Sequence, residues 1–577
     1  MKNVAEVLVE TLLLSGVRRV YGLPGDSLNG VTDGIRQHPE MEWVHVRHEE
    51  TAAFAAGAEA HLTNRLAVCA GSCGPGNLHF INGLFDCHRS RVPVLAIASQ
   101  IPSTELGTTY FQETHPEALF KDCSHYCGIV NDPEQMPRIL TIAMRTAIAN
   151  RGVAVVVLSG DIALKKCELP AAALGFLSNK SSVVPSAQDL AQAAGLLNGA
   201  QKVTILAGAG CEGSHAELLQ IAERLQAPIV HAFRGKEFIE YDNPYDVGMT
   251  GLLGFSSGYR AMMHCDTLLA LGTDFPYPQF YPAKAKKIQV DSRGEQIGRR
   301  TTVDVGLIGT VKETVAALLP LLQPKDAAHL KDSLAHYMSA REGLDDLAVG
   351  KPGTSPLHPE YVTKVLDELA DEDAIFTADV GTPSIWAARY LHFNGRRRLI
   401  GSWSHGSMAS ALPQALGAQS VFRGRQVISM SGDGGLAMMM GELLTAVQMK
   451  LPVKIIVFNN SALAFVEIEM MSTGTVPFGT ELKNPKFSDV ATACGLLGVR
   501  VTTPEELKPA LEQAFAYDGP ALVEVLVHRR ELSIPPSISA GQALGFGLYL
   551  AKCVLNGRGD AVIDLAKTNL LDRLLRD

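Results

Sequence analysis

An aspartate and an asparagine each follow a short apolar segment of the chain. Asp433 comes after "RQVISM" (425–430), and Asn460 comes after "VKIIVF" (453–458). Both segments are short and β-branched, which predicts buried strands, and "LAMMMGELLTAVQM" (436–449) repeats apolar residues at helical spacing. A strand–helix–strand unit of this length has parallel strands, so both side chains should lie at one edge of a sheet.

That edge suits a divalent cation and a phosphate group. Ligands bind beyond the carboxyl ends of strands in open α/β sheets, and carboxylate and amide oxygens suit a Mg²⁺ ion that also binds phosphates. Gly434 and Gly435 would let phosphate oxygens approach the backbone. The alternative is structural, with Asp433 capping the helix and Asn460 making a turn. Spacing alone does not decide between the two.

A second candidate site lies near the N-terminus. Glu49 in "RHEETAAFAAGAEAHL" stands where the strand "EWVHV" passes into an Ala-rich helix, and the glycine-rich turn "GSCGPGN" (71–77) follows the next strand. A carboxylate in such apolar surroundings suits proton exchange with a bound base. The alternative is that Glu49 and Glu50 merely favour the dipole of the helix that they begin.

The middle of the chain contains a nucleotide-binding pattern. "KVTILAGAGCEGSHAELLQIAERL" (202–225) is a strand, a turn with Gly208, Gly210 and Gly213 in GxGxxG spacing, and a helix. The acid expected after the next strand is missing, because Arg234 stands there, so an NAD ribose contact is unsupported. A structural turn remains the alternative. Later strand ends carry more glycines, aromatics and acids, which favours a large phosphate-bearing cofactor.

These segments fall into three blocks followed by a tail. The predicted fold class is α/β, with three doubly wound parallel-sheet domains and a C-terminal amphipathic tail. We place the domains at 1–178, 183–335 and 345–530, and the tail at 531–577. The first and third blocks share a layout of strand, glycine-rich turn, helix and an acid near a strand end.

Composition narrows the classes of function. The chain has 577 residues, too many for one core, and 46% hydrophobic with 19% charged residues is typical of globular proteins. A formal net charge of −9 without an extended Lys/Arg run argues against nucleic acid as a partner. The ten Cys contain no CxxC pair, so we expect free thiols in a reducing cytoplasm.

The three blocks together resemble the thiamine-diphosphate-dependent 2-keto acid enzymes over nearly the whole chain. The segments "GMTGLLGFSSG" (248–258), "GTDFPYP" (272–278) and "YFQETHPE" (110–117) are most similar to the quinone-reducing pyruvate oxidase branch of that family. This resemblance, and not composition or spacing, favours the catalytic interpretations over the structural ones.

The resemblance implies three cofactors, namely thiamine diphosphate (ThDP), Mg²⁺ and FAD. Asp433, Asn460 and the backbone carbonyl of Ala462 should bind Mg²⁺. Glu49 should hydrogen-bond the pyrimidine ring of ThDP, and Met408 should lie beneath the thiazolium ring. The other residues implied around ThDP are Gly406, Ser407, Gly434, Gly435, Ser461, Ala462, Leu463, Ala464, Phe465 and Val466.

The resemblance also implies a substrate site and a flavin site. Phe111 and Gln112 should lie near the substrate, and Phe465 should be a mobile aromatic that enters the active site. The middle domain should bind FAD. The implied flavin contacts are Gly208, Gly210, Gly251, Leu252, Leu253, Gly254, Asp274, Phe275, Pro276, Tyr277, Pro278, Asp291 and Ser292, with Asp304 nearby.

The implied activity is oxidative decarboxylation of pyruvate to acetate and CO₂, with electrons passed through FAD to ubiquinone at the membrane. An acetohydroxyacid synthase, which keeps FAD without using it for redox chemistry, is the alternative. A non-catalytic membrane-surface scaffold is a third interpretation. Glu49 and the Mg²⁺ site lie in different domains and meet across subunits in this family, which implies at least a dimer and usually a homotetramer.

The tail bears on the electron acceptor. The segment "GRGDAVIDLAKTNLLDRLLRD" (557–577) has an apolar stripe at helical spacing, which predicts a helix that lies in a bilayer surface without crossing it. A helix docked on the protein's own core is the alternative. The resemblance implies that the tail inhibits the resting enzyme and binds membrane lipid after activation. It further implies a cytoplasmic protein that attaches peripherally to the cytoplasmic side of the inner membrane.

Overall fold

A computed structural model describes residues 2–171, 182–531 and 540–555, together with Leu565. It contains three six-stranded sheets, one in each predicted block. All strand pairs in these sheets are parallel, and helices connect the strands. The predicted α/β class with three doubly wound domains is therefore confirmed, whereas the domain boundaries stay predictions.

The first domain contains the Glu49 segment. Its strands are β1 (Arg19–Gly22), β2 (Glu42–His45), β3 (Ala67–Gly71), β4 (Val94–Gln100), β5 (Tyr126–Val130) and β6 (Val153–Ser159). Its helices are α1 (Val4–Leu14), α2 (Asn29–Arg36), α3 (Glu49–Thr63), α4 (Pro75–His79), α5 (Ile81–Ser90), α6 (Pro116–Leu119), α7 (Met136–Asn150) and α8 (Gly160–Leu164). The sheet order is β2-β1-β3-β4-β6-β5.

The middle domain contains the GxGxxG turn. Its strands are β7 (Val203–Ala207), β8 (Ile229–His231), β9 (Asp246–Met249), β10 (Thr267–Leu271), β11 (Lys286–Asp291) and β12 (Val305–Ile308). Its helices are α9 (Ala187–Gly199), α10 (His215–Leu225), α11 (Lys236–Ile239), α12 (Ser256–Met263), α13 (Val311–Leu318) and α14 (Ala328–Asp345). The sheet order is β9-β8-β7-β10-β11-β12, the arrangement of dinucleotide-binding α/β folds.

The third domain contains Asp433 and Asn460. Its strands are β13 (Ile375–Ala378), β14 (Arg398–Ile400), β15 (Val427–Gly432), β16 (Lys454–Asn459), β17 (Leu497–Val501) and β18 (Ala521–Leu526). Its helices are α15 (Pro359–Leu369), α16 (Thr382–Tyr390), α17 (Ala411–Val421), α18 (Asp433–Met438), α19 (Leu443–Gln448), α20 (Ala464–Ser472), α21 (Phe487–Cys494) and α22 (Pro504–Ala516). The sheet order β14-β13-β15-β16-β18-β17 repeats that of the first domain.

One predicted helix is interrupted. The periodicity predicts a single helix over 436–449, but the structure has α18, a 3₁₀ turn at Met440–Glu442 and then α19. The buried carboxylate of Glu442 accepts a hydrogen bond from the backbone N–H of Arg47 in the first domain (3.1 Å). The 3₁₀ turn thus places Glu442 in contact with the first domain, and a local periodicity carries no information about that contact.

The first and third domains pack through α3 and α17. Ala58 and Leu62 of α3 share a buried cluster with Leu412 and Leu416 of α17. The two backbones come so close that a Cβ added at Gly417 would be 2.3 Å from the carbonyl oxygen of Ala55. Only glycine fits at this crossing, so a single residue sets the distance between the two domains.

One buried carboxylate of the middle domain contacts both the first and the third domain. Glu237 on α11 accepts hydrogen bonds from Arg398 Nε (2.8 Å) and from the backbone N–H of Leu399 (2.8 Å) in the third domain. It also lies 3.6 Å from His61 Nε2 of the first domain. A buried charge with several partners resists displacement, because removing any partner leaves that charge uncompensated.

The C-terminal region contributes one described helix, α23 (Ala540–Leu555), which packs against α20. Met471 shares a buried cluster with Tyr549 and Cys553, and Lys552 Nζ donates to the carbonyl of Gly474 (2.7 Å). Within the described ranges, no helix has the length and hydropathy that a membrane span requires. The predicted amphipathic helix at 557–577 lies outside the described residues, apart from Leu565. The stripe predicted from the sequence consists of Val562, Ile563, Leu565, Ala566, Leu570, Leu571, Leu574 and Leu575.

We expect Gly417→Ala to destabilise the protein by about 1–3 kcal/mol, because the added methyl overlaps the backbone of α3. Thermal unfolding measures the effect as a lower Tm. Gly195→Ala is the matched control, since Gly195 lies inside α9 with nothing within 4 Å of an added Cβ. That change should be neutral or stabilise by up to about 1 kcal/mol. Equal Tm values for the two variants would contradict the close approach of α3 and α17.

Candidate active site

Asp433 and Asn460 lie at the same edge of the third sheet. Strands β15 and β16 are parallel neighbours, with Gly432 paired to Phe458. Asp433 is the next residue after β15 and the first of α18, and Asn460 is the next residue after β16. The structure therefore brings together the two side chains that the sequence places far apart.

The oxygens at this edge form a donor set that fits Mg²⁺. Asp433 is buried, and its Oδ1 and Oδ2 accept hydrogen bonds from the Gly434 backbone N–H (2.9 Å) and from Asn484 Nδ2 (2.8 Å). Asn460 Oδ1 accepts from the Ala462 backbone N–H (3.0 Å). Burial raises the pKa of Asp433, so a nearby cation would compensate the carboxylate. Hard oxygen ligands of this kind suit Mg²⁺.

The turn after β15 is tight at Gly434 and leaves no room for a side chain at Gly435. A Cβ added at Gly434 would be 3.0 Å from Leu463 Cδ2 and 3.3 Å from Met408 Cε. A Cβ added at Gly435 would be 2.2 Å from Asp379 Oδ2. Met408 and Leu463 therefore form an apolar wall directly beside the turn that is predicted to hold the diphosphate.

Asp379 is a site residue that the sequence analysis missed. It follows β13, and its carboxylate accepts hydrogen bonds from the backbone N–H groups of Ala411 (2.9 Å) and Gly432 (3.2 Å). Burial raises its pKa to about 7, and these backbone hydrogen bonds oppose the shift. Asp379 thereby ties the start of α17, just after Met408, to the turn after β15. A signal was available, because an acid follows the short apolar segment "AIFTA" (374–378).

The loop after β16 is fixed by a second chain segment. Leu463 N–H donates to the Thr480 carbonyl (2.8 Å), and Leu482 N–H donates to the Ser461 carbonyl (2.9 Å). Ala464 begins α20, Phe465 packs partly buried against the core of the third domain, and Val466 is exposed. These contacts hold the predicted diphosphate loop in one conformation.

Glu49 lies in a buried pocket of the first domain. It is the first residue of α3 and is 4% exposed. Its Oε2 is 2.8 Å from His79 Nδ1, and a Cβ added at Gly76 would be 2.9 Å from its Oε1. The ring of His48 stacks on that of His79, with centroids 4.3 Å apart. The three side chains could hold a metal ion, and a carboxylate paired with an imidazole equally suits proton exchange.

The predicted substrate residues flank the same glycine-rich turn. Gln112 has a positive φ of 64° and packs against Gly74, while Cys73 Sγ donates to Gln112 Oε1 (3.4 Å). Phe111 is 76% exposed. The turn from Cys73 to Gly76 thus separates Gln112 from Glu49.

The loop before Met408 also contacts the first domain. Ser407 Oγ accepts from Asn82 Nδ2 (2.8 Å), and the same nitrogen donates to Glu50 Oε1 (2.7 Å). Gly406 has a positive φ of 84°, as this tight loop requires. Among the described residues, no hydrogen bond joins Glu49 itself to Met408 or to Asp433.

The middle domain has the features of a dinucleotide site at the point where its strand order reverses. Gly210 N–H donates to the Gly272 carbonyl (2.9 Å), and a Cβ added at Gly208 would be 2.6 Å from Thr273 Cβ. These glycines let the loops after β7 and β10 touch. Main-chain atoms therefore line the position where such folds bind their ligands. The residues present therefore fit a dinucleotide such as FAD.

The other predicted flavin residues surround this point. Gly251 has a positive φ of 95°, and a Cβ added there would be 3.0 Å from the ring of Phe275. Arg389 of the third domain donates to the carbonyls of Leu253 (3.2 Å) and Gly254 (3.3 Å). The remaining predicted contacts are Leu252 after β9, Asp274, Pro276, Tyr277 and Pro278 after β10, and Asp291 and Ser292 at the end of β11.

Asp304 does not belong to this site. Its carboxylate accepts from Lys286 Nζ (2.8 Å) and from the Lys287 backbone N–H (2.9 Å) at the beginning of β11. Asp291 lies at the other end of that strand, so Asp304 is at the amino-terminal edge of the sheet. Its predicted place beside the flavin is wrong, because proximity in sequence to β12 does not show which edge a residue occupies.

We expect ThDP to raise the Tm of the wild-type protein in the presence of Mg²⁺, because a ligand that binds only the folded state stabilises it. Asp433→Ala should abolish this rise, since the buried carboxylate is the charged member of the donor set. Asp489→Ala, which removes an exposed carboxylate of the same domain, is the control and should respond like wild type. A ThDP-dependent rise that survives both Asp433→Ala and chelation of Mg²⁺ would contradict the metal site.

Comparison with known proteins agrees with this architecture. The chain matches three family models that describe successive parts of one kind of enzyme. These are the N-terminal TPP binding domain of thiamine pyrophosphate enzymes over residues 2–119, their central domain over 190–318, and their C-terminal TPP binding domain over 379–525.

Full-length relatives support the same assignment. The chain is 35% identical to the putative thiamine pyrophosphate-containing protein YdaP of Bacillus subtilis, with 96% of each chain covered. It is 29% identical to a pyruvate oxidase of Lactiplantibacillus plantarum, over 90% of this chain and 88% of that one. It is also 29% identical to an acetolactate synthase of Mycobacterium bovis, over 93% and 90%. The protein belongs to the family of thiamine pyrophosphate enzymes.

Proposed function

We propose that the protein decarboxylates pyruvate oxidatively to acetate and CO₂ and passes the electrons through FAD to ubiquinone. The family supports a ThDP-dependent decarboxylating enzyme, and the relatives at equal identity do not choose between an oxidase and a synthase. The observation that carries the choice is the sequence of two segments that meet at the candidate flavin site. Residues 248–258 and 272–278, whose sequences resemble the quinone-reducing oxidases, contact each other at the candidate flavin site through Gly251 and Phe275.

The third domain would bind and orient the cofactor. When bound, ThDP supplies the electron sink that decarboxylation of a 2-keto acid needs, and FAD accepts the electron pair. Asp433, Asn460 and the carbonyl of Ala462 would hold Mg²⁺ and through it the diphosphate. Met408 and Leu463 supply an apolar surface beside that turn, which would help to exclude water once the cofactor is bound.

Glu49 would hold the proton that the pyrimidine ring exchanges. Its position at the start of α3 is fixed by the helix, and His79 Nδ1 hydrogen-bonds one of its oxygens. A buried carboxylate shielded from bulk water transfers a proton to a bound base without competition from solvent. His79 is partly exposed and thereby offers a path for that proton to leave the pocket.

We further propose that the active site is completed by a second subunit. The hydrogen bonds of Glu49 lie within the first domain, whereas Asp433 and Met408 are held by the third domain. A dimer in which the Glu49 pocket of one protomer faces the diphosphate turn of its partner would join the two halves, and a homotetramer would contain two such pairs. The quinone would be reached at the cytoplasmic face of the inner membrane, with lipid bound by the tail at 557–577.

A carboligase is the second candidate function. The acetolactate synthase relative is as similar to this chain as the pyruvate oxidase. A synthase would use the same Asp433 and Glu49 sites, and it would release no electrons from its substrate. The two functions therefore differ in their products and not in the binding of ThDP.

Turnover of pyruvate with ThDP, Mg²⁺, FAD and an artificial electron acceptor distinguishes these functions. We expect acetate and CO₂ in equal amounts, with one molecule of a two-electron acceptor reduced for each acetate formed. Acetolactate without reduction of the acceptor would contradict the proposal and identify a synthase. Asp433→Ala serves as the control for acceptor reduction that does not depend on the ThDP site.

A further inference from the structure

The carboxyl edge of the middle sheet gathers guanidinium groups that the proposed function does not use. Arg293 follows β11, Arg300 lies beside Asp274, and Arg91 reaches this edge from the end of α5 in the first domain. The carboxylates paired with them are Asp274, Asp291 and the exposed Glu295. The cluster lies where the sheet would bind a nucleotide, next to the reversal point between β7 and β10.

Arg293 has hydrogen-bonding capacity that the protein leaves unused. Its Nε lies 3.4 Å from Asp291 Oδ1 without hydrogen-bond geometry. With the amide of Gln296 oriented to satisfy its neighbours, Arg293 Nη1 donates to the Gln296 oxygen (3.0 Å). Nε and Nη2 are buried and have no hydrogen-bond partner. Buried N–H groups on a cation are costly unless an acceptor binds them.

Arg91 also has few protein partners. Its Nη2 is 3.9 Å from Asp274 Oδ2, and Asp274 is already bound by Arg300 Nε at 3.0 Å. In the part of the chain that the structure describes, the Arg91 guanidinium makes no hydrogen bond. Burial, together with the nearby charges of Arg293 and Arg234, lowers the pKa of Arg91 to about 10. Arg91 therefore keeps N–H groups that no described protein acceptor occupies.

Arg234 has a different role. Its Nη1 donates to Ser404 Oγ (2.9 Å) and its Nη2 to the Ser90 carbonyl (2.9 Å), so both terminal nitrogens connect domains. It adds positive charge to the cluster but has its terminal donors occupied. Arg300 is held by Asp274 through its Nε. The side chains of Arg293 in the middle domain and Arg91 in the first have free donors and lack a hydrogen bond to a carboxylate.

We propose that Arg91 and Arg293 together bind a phosphate group of the nucleotide held by the middle domain. This inference rests on the proposed function, in which that nucleotide is FAD. A guanidinium presents its N–H groups in a planar fork that matches phosphate oxygens, and a buried, charge-assisted contact is stronger than a neutral one. The first domain then closes the nucleotide site, and nucleotide binding strengthens the contact between the two domains.

Titration of the full-length protein, freed of flavin, tests this assignment. FAD and riboflavin are followed by the change in flavin fluorescence, and ADP is followed by calorimetry. We expect Arg91→Gln and Arg293→Gln each to raise the Kd for FAD and for ADP about tenfold or more, with the Kd for riboflavin unchanged. Arg89→Gln removes an exposed charge two positions from Arg91 and should bind like wild type. Arg91→Lys, which keeps the charge, should retain most of the ADP affinity.

Two results would overturn the proposal. One is unchanged affinity of both Gln variants for FAD and ADP. The other is an equal loss of riboflavin binding, which would indicate a distorted pocket and not a lost phosphate contact. A wild-type protein that binds ADP but not FAD would refute the flavin part of the proposed function and leave the phosphate site intact. Binding of neither ligand to wild type would refute both.

Discussion

Parallel strands end at a common edge of their sheet. This constraint determines where nearly every residue that could bind a cofactor lies in the protein. Asp433 and Asn460 are close because β15 and β16 are neighbours with the same direction. The Gly208–Gly210 turn and the loop after β10 meet for the same reason. The three sheets therefore bring separate segments of the sequence together at three sites. The helices between the strands allow neighbouring strands to run in the same direction.

Sites in different domains must also be held at fixed distances, and buried polar groups provide this. Glu237 joins the middle domain to both neighbours, and Glu442 joins the third domain to the first. Asp379 performs the same task within one domain, where it links the turn after β15 to the start of α17. Such groups contribute little net stability when paired, but breaking one pair leaves a buried charge, so they fix geometry more than they add stability.

Local patterns in the sequence were sufficient to predict the fold class and the edge of the sheet at which Asp433 and Asn460 lie, whereas their assignment to a cofactor came from the family resemblance. The strands around Asp433 and Asn460 were predicted from apolar runs, and the Gly208–Gly210 turn from its strand–turn–helix setting. Contacts between distant segments left no such signal. Glu237 and Asn484 act through partners far away in the chain, and Glu442 in the turn after α18 contacts Arg47. Asp304 was misplaced because adjacency in sequence does not reveal which sheet edge a residue occupies.

The proposed function requires electrons to leave pyruvate in one domain and to reach a flavin in the next. The most direct measurement is the visible absorption band of the FAD-loaded protein, recorded without oxygen before and after pyruvate is added together with ThDP and Mg²⁺. The account predicts that the band bleaches in wild type and remains in Glu49→Gln, which cannot exchange the required proton. A band that pyruvate leaves unchanged in the wild-type protein, although FAD and ThDP are bound, would contradict it.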